Sequence, residues 1–290
     1  MAGYDSNLHV TINDTPLYGV DSLGCTWLVS EVNGVFDGAA STLSTTQHVW
    51  ADGYYTNRPF YKGRSFTITG NIYGDDTATV YKAWERFKGS LLLTDQTLLV
   101  DFKGIQRLGT VRQTDAALVD AVGDSALKFS LQFVSTESVM YGGGNLLTGS
   151  TGLPQSSGGL TYPYQFQGNG TPNNWGFAEK TESGSIEITS NGTADSNLIL
   201  RIDGYVTRPQ VEHVQTGRVL ALDFTIGDGH YVTFNTAKQE VMVDGALPAA
   251  PIVSRREWFK IQPGRNVLRF SSADNTQLGR LSIQFREAYK

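Results

Sequence analysis

Apolar and polar residues alternate with a period of two along much of this chain. Phe66, Ile68, Gly70 and Ile72 interleave with Ser65, Thr67, Thr69 and Asn71, and Leu127, Phe129, Leu131 and Phe133 with Lys128, Ser130 and Gln132. Successive side chains of a strand point to opposite faces, so both stretches predict strands with one buried face. The run at 98–102, LLVDF, predicts a third. One segment breaks the rhythm. Val80, Trp84, Phe87 and Leu91 recur at i, i+4, i+7 and i+11, a single apolar stripe that predicts a helix over about 75–89. Asp75 and Asp76 supply its cap and negative charge at the positive end of its dipole, and Gly89 is expected to stop it. Residues 33–59 have no clean period. Gly, Ala, Ser and Thr mix there with isolated aromatics, and a compact monomer rarely keeps so long an irregular stretch. It predicts an extended loop or hairpin that reaches a neighbouring subunit.

The second half is strand-like and predicts no helix. Strands are expected at 162–166, 185–189, 198–202, 219–225, 231–234, 240–243 and 281–285, with Asp244-Gly245 as a turn. Runs at 258–261 and 266–270 flank Gln262-Pro263-Gly264-Arg265, the pattern of a hairpin. About nine or ten short strands predict a β-sandwich or jelly roll. Between the halves, seven of the 18 residues of 142–159 are glycine, with Ser, Thr and one Pro, which predicts a linker. The expected organisation is a first domain over 1–141, a linker over 142–159 and a sandwich over 160–290.

A chain of 290 residues fits two domains by the usual span of roughly 100–200 residues each. It is long enough to fold without disulfides or metal. Its single cysteine, Cys25, excludes an internal disulfide and any Cys-based zinc site, and is expected to be a small buried hydrophobe. The first residues, MAGYDSNLHV, lack the basic and apolar regions of a signal peptide, and no apolar run approaches the ~18 residues of a membrane span. Net charge is −5, all of it in residues 1–145, which hold 10 Lys and Arg against 15 Asp and Glu. Neither half has the basic excess of a nucleic-acid binder. Arg255, Arg256, Lys260, Arg265 and Arg269 are the one basic cluster, and strand alternation should spread them over a solvated surface.

Nothing in the chain selects a catalytic site, a metal or a cofactor. His9, His48, His213 and His230 are far apart and lack metal-ligand spacing. Carboxylate pairs such as Asp223 and Asp228 can be named for a glycosidase, but no motif singles them out. Neither a nucleophile elbow nor a phosphate-gripping loop occurs. Asn13, Asn169 and Asn191 begin glycosylation-type triplets that read better as turns. Trp175, in the polar loop 169–175, is the best candidate for stacking on a sugar, against the plainer reading of a residue capping the sandwich end.

Several stretches carry a resemblance to a known family. They are YKGRSFTITGNIYGDDTATVYKAWERFKGSLL (61–92), GGLTYPYQF (158–166), the long run 184–236, VDGA (243–246) and WFKIQPGRNVLRF (258–270). In order and spacing these resemble the distal tail proteins of long, non-contractile-tailed phages, often called minor tail proteins in phages of actinobacteria. The motif positions are Gly63, Arg64, Gly70, Trp84, Gly159, Pro163, Gly204, Pro209, Gly217, Gly245, Trp258, Pro263, Gly264 and Asn266. Asn235 departs from the aspartate common after that strand, which bears only on turn geometry. The resemblance implies a mainly β protein: a tail-tube-like domain with one helix, followed by a galectin-like sandwich around its outside. It also implies a structural role, as a hexameric ring at the distal tail tip of the virion, made in the host cytoplasm. The implied partners are further copies of itself, the tail tube protein, the tape measure protein, and the hub and receptor-binding proteins, with DNA passing through the lumen. No cofactor, enzymatic activity, sequence-specific nucleic acid or membrane insertion is implied. The alternative is a carbohydrate-binding module that recognises the host envelope through its second domain. A polysaccharide-degrading enzyme is the third reading.

Overall fold

The computed structural model describes residues 7–144, 146–154, 184–247, 252–274 and 277–290. It is mainly β, with one helix among the described residues, and every described strand pairing is antiparallel. The chain divides into two compact units, Met1–Asn145 with Ala288–Lys290, and Leu146–Glu287.

The first unit is built on an eleven-stranded sheet. Its main path runs Thr15–Pro16, Leu8–Ile12, Gln96–Phe102, Ile105–Gln113, Ala126–Ser135, Arg64–Tyr73, Thr26–Asn33, Gly19–Val20. The two alternating stretches pair along their whole length, from Ser135↔Arg64 to Ala126↔Tyr73. Their apolar positions Phe66, Ile68, Ile72, Leu127, Phe129, Leu131 and Phe133 are all buried, so the period of two reports the core face directly. Gly70 stands opposite Phe129. A Cβ at Gly70 would lie 2.5 Å from Phe129 Cζ and 2.6 Å from the Leu28 carbonyl oxygen, so only glycine leaves room for the ring.

The helix spans Thr77–Ser90. Asp76, not Asp75, is the cap: its carboxylate accepts from Thr79 N at 2.7 Å, and hydrogen bonding to the Thr79 side chain, then to its N–H, holds the Asp76 pKa below the ordinary carboxylate value. Val80, Ala83, Trp84 and Phe87 are buried and Leu91 packs beside them. Trp84 stacks on Phe129 at 6.0 Å and Phe87 meets Trp27 edge-on at 5.3 Å, so the stripe closes the core. Burying each such side chain stabilises the unit by about 1.5–3 kcal/mol before chain entropy is counted. Gly89 does not stop the helix. It lies inside the last turn, and the chain leaves at Leu91 in an extended conformation while Ser90 Oγ donates to the Phe87 carbonyl. No left-handed residue is needed for that exit.

The second unit is a sandwich of two five-stranded sheets. One runs Leu147–Gly152, Arg280–Phe285, Leu198–Asp203, Tyr231–Asn235, Glu240–Val243; the other Ser185–Ser190, Gly264–Ser271, Gln210–His213, Arg218–Leu222, Val253–Arg256. Leu200, Ile202, Val232, Phe234, Leu268, Phe270, Leu281 and Ile283 from both sheets form one buried cluster. The strand expected at 219–225 ends at Leu222, and Thr225–Ile226 pairs separately with Val206–Thr207. The strand expected at 162–166 lies outside the described residues.

Two expectations are corrected here. The stretch read as a linker, 142–159, contains the strand Leu147–Gly152, paired residue for residue with Arg280–Phe285. Strand pairing uses backbone groups, which glycine and serine supply as well as valine does, so composition misled. The expected hairpin at 258–270 is not one either. Gly264–Ser271 pairs with Ser185–Ser190 and Gln210–His213, while Ile261 makes only a single bridge to Ser196. Side chains take the backbone groups that such a hairpin would have paired. Arg218 Nη1 donates to the Trp258 carbonyl, and Asn266 bonds both the N–H and the carbonyl of Gln262. The boundaries shift as well: the second unit begins at Leu146, and Ala288–Tyr289 pairs with Met140–Gly142 of the first.

Candidate assembly site: an aromatic hairpin rooted on a buried arginine

Residues 33–59 hold the least buried structure among those described. Two short ladders, Ser41–Thr42 with Phe60–Tyr61 and Thr45–Gln47 with Tyr54–Thr56, make a hairpin. Lys62 N→Ala40 O and His48 N→Gly53 O extend it at either end, so it runs past Pro59 to Lys62. From Phe36 to Gly63 no residue is buried. Yet the hairpin carries Leu43, Val49, Trp50, Tyr54, Tyr55, Phe60 and Tyr61, and Trp50 near its tip is 96% exposed. His48 and Tyr55 lie 3.9 Å apart between ring centroids, Arg58 sits over Phe60, and Lys290 Nζ lies 5.0 Å from the Tyr61 ring centre. A lone two-stranded hairpin in water is marginal. An apolar surface of this kind marks a contact.

Its root is rigid. Arg64 is 5% exposed and, among the described residues, faces no carboxylate at hydrogen-bond distance. Nε donates to the Ser138 carbonyl at 3.0 Å, and Nη1 to the carbonyls of Gly34, Val35 and Asp37 at 3.1, 3.3 and 2.9 Å. Burial lowers its pKa and the charge of Asp37 partly offsets this. One cation thus ties both ends of the hairpin to the segment after Ser135. Gly34 has φ +91°, and a Cβ there would strike the Ser65 carbonyl, so the entry into the hairpin requires glycine. A Cβ at Gly63 would lie 2.4 Å from the Ser135 carbonyl oxygen.

The remaining motif positions fall into separate places. Gly70 and Trp84 lie in the first core. Gly217, Trp258, Pro263, Gly264 and Asn266 gather at one end of the sandwich. Gly204 and Gly245 sit in turns and Pro209 precedes the strand Gln210–His213. Trp175, Gly159 and Pro163 lie outside the described residues.

Sequence reasoning passed over His213, which is fully buried and bonded through Nε2 to Asn266 Oδ1 (3.0 Å) and through Nδ1 to Thr216 Oγ1 (2.8 Å). Burial lowers its pKa, with the Asn266 bond opposing. Thr216 at i+3 was the only local hint. His9, His48 and His230 stand apart, against Tyr18, Tyr55 and Asp244 respectively. Among the described residues no three His, Cys, Asp or Glu side chains are grouped to hold a metal ion. No described helix is long and apolar enough to cross a membrane. The basic cluster is largely paired off, Arg255 with Glu257, Arg265 with Glu187 and Arg269 with Glu212.

Residues 191–289 match the family described as siphovirus-type tail component, C-terminal domain. No curated protein sequence matches the chain. Among solved structures, the Dit protein of phage SPP1, described as a paradigm of the hub adsorption apparatus in phages infecting Gram-positive bacteria, superposes with a TM-score of 0.68 at 14% identity. That match covers 98% of this chain and 99% of the other. A chain of the phage P2 baseplate in its activated conformation with Ca matches with a TM-score of 0.52 at 12% identity, over 98% of each chain. Residues 191–289 thus carry the C-terminal domain of the siphovirus-type tail component family, and along its whole length the chain shares the fold of the SPP1 Dit protein.

Proposed function

We propose that this protein is a structural component of the adsorption apparatus of a siphophage tail, forming a hexameric ring at the distal tip between the tail tube and the hub. The observation that carries the reading is the 40–62 hairpin. It exposes seven large apolar side chains on an element with no core of its own, held out by a buried arginine. A second copy is the natural cover. A closed ring needs a heterologous contact, one patch on each subunit meeting a different patch on the next, and a hairpin leaving one side of the first unit supplies it. A permanent interface of this kind buries roughly 2,000 Å² or more. DNA passes through the bore, and the acidic excess of residues 1–145 lines it so that the polyanion does not adhere. The tail tube, tape measure, hub and receptor-binding proteins are the neighbours.

The hairpin is tested by replacing 41–61 with a short Gly-Ser turn, which spares the Gly34–Asp37 carbonyls that Arg64 holds. The variant should remain folded and sediment as a monomer under conditions in which the intact chain sediments as a ring. Rings that survive the replacement would remove the hairpin from the interface.

A further inference from the structure

One end of the second unit carries a polar cleft that shares no residue with the 40–62 hairpin. Three connections converge there: 214–217 in one sheet, 236–239 in the other, and the 257–263 crossing. With Asp195 they bound a space of about 340 Å³ lined by Thr216, Arg218, Gln239, Trp258 and Lys260. That is at the small end of the ~300–1,000 Å³ typical of small-molecule sites, room for one or two rings and not for a polymer segment.

The base of the cleft is fixed. Phe259 stacks on His213 at 5.3 Å and 13°. Asn266 spends its whole amide on this base, accepting from His213 Nε2 and Gln262 N and donating to the carbonyls of Gln262 and Gly264. Since Asn266 Oδ1 accepts, His213 carries its proton on Nε2 and takes the Thr216 hydroxyl proton on Nδ1. Arg218 is pinned by its 2.7 Å bond to the backbone carbonyl of Trp258, whose indole is half-buried. By contrast, the exposed side chains of Lys260 and Gln239 have no hydrogen-bond partner among the described residues.

We propose that this cleft binds a sugar ring bearing one carboxylate. An indole face beside donor and acceptor groups suits a molecule with an apolar ring face and a hydroxylated edge. Among the lining side chains, Arg218 and Lys260 stand against the single carboxylate of Asp195, Glu257 beside Arg218 is paired with Arg255, and with the buried histidine neutral one positive charge is left. A carboxylate matches that charge, whereas a phosphate monoester carries close to two. Lys260 and Arg218 hold the carboxylate, Trp258 covers the ring, and Gln239 and Thr216 take hydroxyls.

The test titrates the full-length protein with glucuronate, glucose and inorganic phosphate, following tryptophan fluorescence and amide chemical shifts. Glucuronate should bind at least about tenfold more tightly than glucose or phosphate, and Lys260→Glu should weaken it by about tenfold or more with an unchanged melting temperature. Lys260→Gln gives the charge-neutral control if the reversal disturbs folding, and Gln239→Asn, which keeps the left-handed backbone there, should weaken binding severalfold. Equal affinity for glucose, phosphate binding as tight as glucuronate, no binding of glucuronate, or indifference to the Lys260 variants would each overturn the assignment.

Discussion

Replacing Arg64 with methionine removes the cation at the hairpin root while keeping the length of its apolar stem. Four carbonyls lose their donor, but three of them share Nη1, which has only two hydrogens, so about three full bonds are at stake. Bonds to a charged donor contribute roughly 1.5–3 kcal/mol each. Relief of the desolvation cost of a buried guanidinium offsets part of the loss. Water reaching the carbonyls of Gly34 and Asp37, near the surface, offsets more. The net destabilisation should be about 2–4 kcal/mol, which lowers the melting temperature of a unit of this size by about 5–15 °C. The damage should also be local. Amide exchange should quicken over 34–62 and around Ser138 and stay unchanged in the paired strands Arg64–Tyr73 and Ala126–Ser135. Arg64→Lys should fall between, because an ammonium cannot fork toward Ser138 and the 34–37 carbonyls together. A methionine variant that melts within a degree of the parent and exchanges identically over 34–62 would refute the root.

Two glycines should respond in opposite senses. Gly70→Ala forces a Cβ against Phe129 and a backbone carbonyl and should cost about 1–3 kcal/mol, seen as a lower urea midpoint at constant m. Gly89→Ala, in the last helical turn with open space around it, should stabilise by about 0.5–1 kcal/mol, and a loss there would restore glycine as the helix stop. His213 has its pKa lowered from 6.5, so the unfolded chain takes up a proton that the folded one resists. The contribution is fully present above about pH 6.5 and is lost as pH falls toward the folded value. Denaturation at pH 8 and pH 5 should show His213→Gln with a flatter pH dependence than the parent, and parallel curves would dismiss the group.

The period-two stretches of the first unit and the helical stripe were legible because their side chains report the buried face directly. So was the aperiodic arm, whose lack of a pattern matches its lack of a core. What escaped depends on backbone or distant partners. Leu147–Gly152 pairs through groups that every residue possesses, so its glycine and serine content pointed to a linker. Trp258–Ile261 has a strand's composition, but Arg218 and Asn266, at a distance in sequence or on the far side of a turn, occupy its backbone. Arg64 stands in a recognisable motif, yet its role rests on bare carbonyls 27 to 74 residues away, which no side-chain pattern records. His213 looked isolated because Asn266 is 53 residues downstream.

We propose that copies of this chain close into a ring through the 40–62 hairpin. Class averages of the purified protein by electron microscopy, alone and mixed with the tail-tip proteins of the same virion, test it most directly. Six-fold rings with the hairpin spanning adjacent subunits and carboxylates of residues 1–145 facing the bore are expected. Single particles of one subunit under both conditions, or rings whose bore is basic and whose hairpins point free into solvent, would contradict the account.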